Sequence, residues 1–154
     1  MKKLLFRFLP FIAVAILLTS CGSSSKKEEQ NKNIKAVYDV PSLVGKNIDE
    51  VRKALGKPSD KDIEPTKQQM DMNFDSWDNS FEKDGKTLLV TFNPQDRKVT
   101  DFFISSEDPS GASEDYSDLL KICNVTEDDS NYSIEPVPVL NDATKYTGIK
   151  IAQK

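Results

Sequence analysis

The groups in this chain whose types and spacing could do chemistry are two thiols and a run of spaced carboxylates. The sequence has 154 residues, Cys21 and Cys123 as its only cysteines, and no histidine. Without histidine, the usual general base near neutral pH and the commonest transition-metal ligand are missing. Two cysteines cannot build a zinc site or a disulfide framework. Cys123 has no imidazole to activate it as a nucleophile. It falls at i+7 from Tyr116, on an apolar stripe with Leu119 and Leu120, so it reads as a buried small hydrophobe. The alternative for an unpaired cysteine in an exported chain is an intermolecular disulfide.

The carboxylates Asp71-x-Asn73-x-Asp75-Ser76-x5-Glu82 come close to a calcium-loop spacing, in which alternate oxygens fold around one hard cation and a final carboxylate closes the cage. Ser76 stands where that loop needs glycine for its sharp turn, and Asp78 where an apolar residue would anchor it. The segment Trp77–Phe81 also alternates like a strand, so a solvated strand edge is the expected reading. The pairs Glu114-Asp115 and Asp128-Asp129 lie in acidic stretches without a cleft-forming context, and acid–base hydrolysis by carboxylates alone is not expected. Trp77 and Tyr116 are expected to pack in the core, with a binding surface as the other use of such rings.

Cys21 stands in a different context. Lys2, Lys3 and Arg7 precede an apolar run, Phe8–Leu18, that is too short for the roughly 20 residues of a membrane-spanning helix. The run ends in Leu18-Thr19-Ser20-Cys21-Gly22, which resembles the lipobox of bacterial lipoproteins. The resemblance implies a diacylglyceryl group on the Cys21 thiol, cleavage just before it, and an N-acyl chain on the new terminus. No other cofactor is expected. Two acyl chains anchor stably where one does not. Losing residues 1–20 removes three positive charges and moves the net charge from −4 to −7. An acidic body is repelled by anionic head groups, so attachment rests on the acyl chains. The expected location is the extracytoplasmic face of the cell membrane. No basic patch remains to favour a nucleic-acid partner.

Residues 1–20 are thus expected to be a lipoprotein signal peptide and 21–36 a flexible tether, polar and without apolar periodicity. A single compact α+β domain is expected over 37–154. Its first helix has Asn47 as cap, Glu50 three residues later, a stripe of Ile48, Val51 and Leu55, and a stop at Gly56 and Pro58. Thr66…Gln69 offers a second capping box, and Met70 and Met72 are expected to fill core space. Residues 75–106 read as an antiparallel meander. Asp84-Gly85 forms its first turn, Leu88, Val90 and Phe92 alternate in one strand, and Phe102 and Ile104 oppose Val99 and Phe103 in the next. A helix over Glu114–Cys123 and strands over Tyr132–Leu140 and Tyr146–Ile151 follow. Pro136 and Pro138 place the first of these strands at an edge. The C-terminal segment is expected to cover the second apolar face of the meander, the one bearing Val99 and Phe103 or its opposite.

The stretch Val40–Pro58, with its Gly45…Val51…Leu55-Gly56-x-Pro58 spacing followed by Trp77 and a hairpin, resembles the SmpA/OmlA (BamE-like) lipoprotein domain. That domain has the fold of β-lactamase-inhibitor proteins, short helices packed on one face of an antiparallel meander. Here it would be extended by the C-terminal helix and two strands. Val40-Pro41-x-Leu43-x-Gly45-Lys46 is also similar to the start of a PASTA module, a family associated with peptidoglycan fragments. The first resemblance covers roughly residues 40–106 and implies a non-catalytic module that binds a protein partner; the second implies a cell-wall-binding module. The Lys- and Asn-rich composition points to a source without an outer membrane, so the outer-membrane assembly role of BamE-like proteins is not carried over.

Overall fold

Strands supply the frame, and the helices are short pieces pinned to it by local caps. The structure is a computed structural model, and it describes residues 34–154 apart from residues 107 and 109. Val40–Ser42 forms a 3-10 turn with Pro41 at its start. Helix α1, Ile48–Leu55, begins at the expected capping box: the Asn47 side chain accepts from the Glu50 N–H while the Glu50 carboxylate accepts from the Asn47 N–H, both at 3.0 Å. Gly56 ends it with φ near +96°, where a side chain would be strained. Helix α2, Lys67–Asp71, starts at the second capping box, Thr66 with Gln69.

The strands are β1 Trp77–Lys83, β2 Lys86–Phe92, β3 Val99–Ser105, β4 Tyr132–Val139 and β5 Asp142–Gln153. All pair antiparallel in one sheet, in the order β1-β2-β3-β5-β4. Asp84 and Gly85 both take positive φ, as a type I′ hairpin turn requires. β4, which carries Pro136 and Pro138, is at the edge, where a missing N–H leaves no ladder bond unmade. Helix α3, Ser117–Ile122, ends in a Schellman motif: Asn124 has φ near +55°, its N–H donates to the Lys121 carbonyl, and the Val125 N–H donates to the Leu120 carbonyl.

One face of the sheet carries the core. Phe81, Leu88, Val90, Phe92, Phe102, Ile104, Ile149 and Ile151 are buried there with Ile48 and Val51 of α1 and Leu119 and Ile122 of α3. At roughly 25 cal/mol per Å² of apolar area removed from water, this layer is the main favourable contribution to folding. The chain entry is tied to the end of α3. The Val37 and Tyr38 N–H groups both donate to the Ile122 carbonyl, and Val40 N–H donates to that of Cys123. The Tyr38 hydroxyl lies 2.6 Å from the Phe81 carbonyl and 2.8 Å from that of Lys86, closing the β1–β2 hairpin from below. Burial first of all raises the Tyr38 phenol above its ordinary pKa.

Several expectations require correction. The C-terminal segment does not cover the second face of the meander. α3 packs on the same face as α1, and β5 and β4 widen the sheet beside β3 instead. Val99 does not share a face with Phe103: a bulge at Thr91/Phe92 pairs Val99 with Phe92 and turns it to the core. α3 is shorter than expected because the Asp115 carboxylate accepts from the Ser117 N–H and hydroxyl, which sets the first turn at Ser117. β5 starts at Asp142 rather than Tyr146, and β4 stops at Val139. Met72 is 64% exposed, not a core filler, because α2 is only five residues long and buries none of them. Ile34 already packs against the core, so ordered packing begins before Val37.

Candidate interaction surfaces

Cys21 with the lipid expected on it, the expected signal peptide at 1–20 and the expected tether up to residue 33 lie outside the described residues. Among the described residues no helix is long and apolar enough to cross a membrane. Cys123 is fully buried and unbridged, and desolvation pushes its thiol pKa up to about 12. The Asp71–Glu82 carboxylates are not gathered. Asp71 ends α2, Asn73 takes a left-handed turn, and the chain then runs out along β1, carrying Glu82 away at about 3.3 Å per residue. Two of the paired carboxylates serve turns: Asp115 accepts from the Ser117 N–H just before α3, and Asp129 accepts from the Asn131 backbone and side chain. Tyr116 is half-buried and packs against the core cluster. Its ring meets Tyr146 edge-on at 5.2 Å, and its hydroxyl donates to Glu127 at 2.8 Å.

Two surfaces among the described residues combine apolar side chains with a polar surround. The first is the sheet face opposite the core. Register places Ser80, Leu89, Phe103, Lys150 and Glu135 in one row across the five strands, with Asp78, Thr91, Asp101, Ala152 and Ser133 in the next. Leu89 and Phe103 are half-buried and stand outside the core cluster. The Phe103 ring lies over Gly148, where an added Cβ would come within 2.6 Å of it and 2.3 Å of the Ile104 carbonyl oxygen. Gly148 thus lets the Phe103 ring approach the β5 backbone closely. Lys150 and Asp101 pair beside it at 3.4 Å.

The second surface is a groove of about 550 Å³ at the outer edge of β1, lined by Asp60, Lys61, Asp62, Phe74, Ser76, Trp77 and Asp78. The connection after α1 forms one wall and is held to β1 by hydrogen bonds. The Ser59 N–H donates to the Ser80 carbonyl, and the Asp60 carboxylate accepts from the Ser80 N–H and hydroxyl. Half-buried Trp77 is fixed by its indole N–H, which donates to the Asp62 carbonyl at 3.2 Å. Phe74 is 40% exposed beside it.

Sequence reasoning found Trp77 but missed the polar cluster that holds the groove's wall. Arg52 of α1 donates to the Asn79 side chain, the Ile63 carbonyl and the Glu64 carboxylate. Arg97, in the β2–β3 turn, pairs with both Asp49 and Glu64. Its hydrogen bonds hold both carboxylates below the usual range. The partners are far apart in sequence and carry no motif, so no local signal marks them.

Comparison with known proteins gives no matching family model, no matching curated protein and no matching solved structure.

Proposed function

We propose that this chain is an extracytoplasmic lipoprotein, anchored to the cell membrane by acyl chains on Cys21, whose folded part is a non-catalytic module that binds a protein partner. The anchoring half rests on the positive n-region, the short apolar run, the lipobox-like Leu18–Gly22 and the polar stretch after it. The observation that carries the binding half is the arrangement of layers. α1 and α3 pack on one face of the sheet, and Leu89 and Phe103 stand half-buried on the other, outside the core cluster. An aromatic and an aliphatic side chain surrounded by Thr91, Ser133, Glu135 and the Asp101–Lys150 pair have the make-up of a protein interface: an apolar centre with a polar rim. Two short helices followed by a three-stranded antiparallel meander over residues 48–105 also agree with the BamE-like resemblance.

The test has two arms. Metabolic labelling with a radioactive fatty acid should mark the native chain and not Cys21→Ala, which should leave the membrane fraction; labelled, membrane-bound Cys21→Ala would overturn the anchoring. For binding, a photo-crosslinking amino acid at Thr91 should capture a defined protein in intact cells, while the same group at Lys53, on the exposed side of α1, should not. Sedimentation with purified peptidoglycan and no crosslinked protein would favour the PASTA-like, cell-wall-binding reading instead.

A further inference from the structure

We propose that the groove at the β1 edge is a docking site for an extended cationic segment of a partner protein. The segment would set an apolar side chain against Trp77 and Phe74 and a lysine or arginine beside Asp62 and Asp78. The proposal does not rest on the sheet-face reading, since the groove shares only Asp78 with that face.

Apolar exposure comes first. Of the large hydrophobic side chains standing exposed among the described residues, Phe74 at 40% lines the groove, Met72 at 64% precedes it by two residues outside the lining, and Leu140 lies on a distant turn. Exposed apolar groups gathered at a concave site beside an anchored indole mark a contact surface more than a scatter of single residues does. The groove is also held in shape before anything binds. One wall is tied to β1 through Ser59, Asp60 and Ser80, and the indole N–H is fixed on the Asp62 carbonyl, so an incoming segment orders little of it.

Charge then selects the occupant. Asp60, Asp62 and Asp78 line the groove against a single cation, Lys61, and Asp75 adds one more acid between Phe74 and Ser76 of its lining. Asp60 is already occupied by Ser80. The exposed Asp62 and Asp78 carboxylates have no ion pair or hydrogen bond to a described residue, so their acceptor capacity faces whatever enters. That potential repels nucleic acid and anionic lipid, and it draws in Lys and Arg. An aromatic floor adds to the attraction, because a cation over a Trp or Phe face gains about 0.5–2 kcal/mol. An apolar side chain flanked by positive charge is the chemistry that satisfies both halves of the groove.

Trp77 is the chain's only tryptophan, so its emission reports on this site alone. The probe is a nonapeptide alternating lysine with leucine and phenylalanine, titrated into the mature chain while tryptophan emission and heat are recorded. The expected result is a saturable blue shift of Trp77. Affinity should fall at least 10-fold for the same peptide with glutamate replacing lysine, and at least 5-fold for a lysine–serine peptide. Phe74→Ser and the double variant Asp62→Asn/Asp78→Asn should each weaken binding at least 5-fold. These side chains are exposed, so unchanged thermal melting is expected to show that both variants fold. No saturable shift, heat without a Trp77 response, or equal binding of the glutamate peptide would overturn the proposal. So would an unchanged affinity in both variants. A Trp77 shift with phosphatidylglycerol vesicles but not with the peptide would overturn it in favour of a lipid surface.

Discussion

The Arg52 guanidinium places two N–H groups on one oxygen of Asn79, Nε at 2.9 Å and Nη2 at 2.6 Å from Oδ1, across the junction of α1 and β1. Asn79 is the buried polar side chain of the sheet among the described residues, and its amide nitrogen donates to the Ile63 and Asp78 carbonyls. The guanidinium carbon sits 5.4 Å from the centre of the Phe92 ring. A buried acceptor that loses its donor costs about 1–3 kcal/mol, whereas replacing both partners by apolar groups costs much less. Arg52→Met should therefore destabilise the domain by about 2–3 kcal/mol in urea unfolding. Arg52→Met/Asn79→Leu should cost clearly less than the sum of the two single changes. Additivity within about 0.5 kcal/mol would mean the pair is not coupled.

Arg97 gives a pH dependence with a definite sign. Its hydrogen bonds are the largest cause lowering the Asp49 and Glu64 pKa values below their ordinary 3.8 and 4.5. A carboxylate whose folded pKa is depressed contributes stability above its unfolded pKa and loses it as pH falls through the folded value. The Tm difference between the native protein and Arg97→Met should thus be full at pH 6–7 and shrink as pH drops below about 4.5. Asp49 and Glu64 side chains are 59% and 39% exposed, so the effect should be modest and weaken in 1 M salt. A difference that grows on acidification would contradict the assignment.

What could be read in advance was what the chain specifies locally. Both capping boxes, the Asp84-Gly85 turn and the edge position of the proline-bearing strand are set by residues within a few positions of one another. Features that depend on register were not legible. A single extra residue opposite Thr91/Phe92 turned Val99 inward, against the simple alternation from Phe102. The start of β5 at Asp142 was hidden because its first four residues carry no apolar alternation, and pairing with β4 makes them a strand. The side of the sheet taken by α3 was equally hidden, since the expected stripe of Tyr116, Leu119, Leu120 and Cys123 would suit either face, and the buried Ile122 lay outside that stripe. Trp77 was visible as an aromatic. The wall it binds, fifteen residues earlier in the chain, was not.

Cys123 should behave as core, not as a reactive thiol. With its pKa pushed up to about 12 by burial, it stays protonated at pH 8 and is closed to reagents. In protein made without residues 1–21, where it is the only cysteine, DTNB at pH 8 should label it only as fast as the domain opens. Because the folded pKa is raised, the neutral thiol's contribution to stability is full below pH 9 and is lost as pH rises from there towards 12. Labelling at the rate of a free thiol under native conditions would place Cys123 at the surface.

The chain after Ser106 should be indispensable to folding, for a reason that differs from the one the sequence suggests. It was expected to lie over the second face of a finished meander. It instead completes the first. β5 supplies the ladder partner of β3 from Asp101 to Ser105, and Ile149 and Ile151 join the same buried layer as Phe102 and Ile104. α3 closes that layer from above with Leu119 and Ile122, and its last carbonyls hold the N–H groups of Val37, Tyr38 and Val40. Truncation after Ser106 would therefore open β3 as a bare edge, uncover Phe102 and Ile104, release the entry segment, and take Gly148 and Lys150 away from Phe103 and Asp101 on the other face. Exposed apolar strands with free ladder groups associate. The 37–106 fragment should aggregate or lose its cooperative transition in calorimetry. A fragment that stays monomeric and melts as sharply as the full domain would show that the three-stranded meander with α1 is a folding unit in its own right.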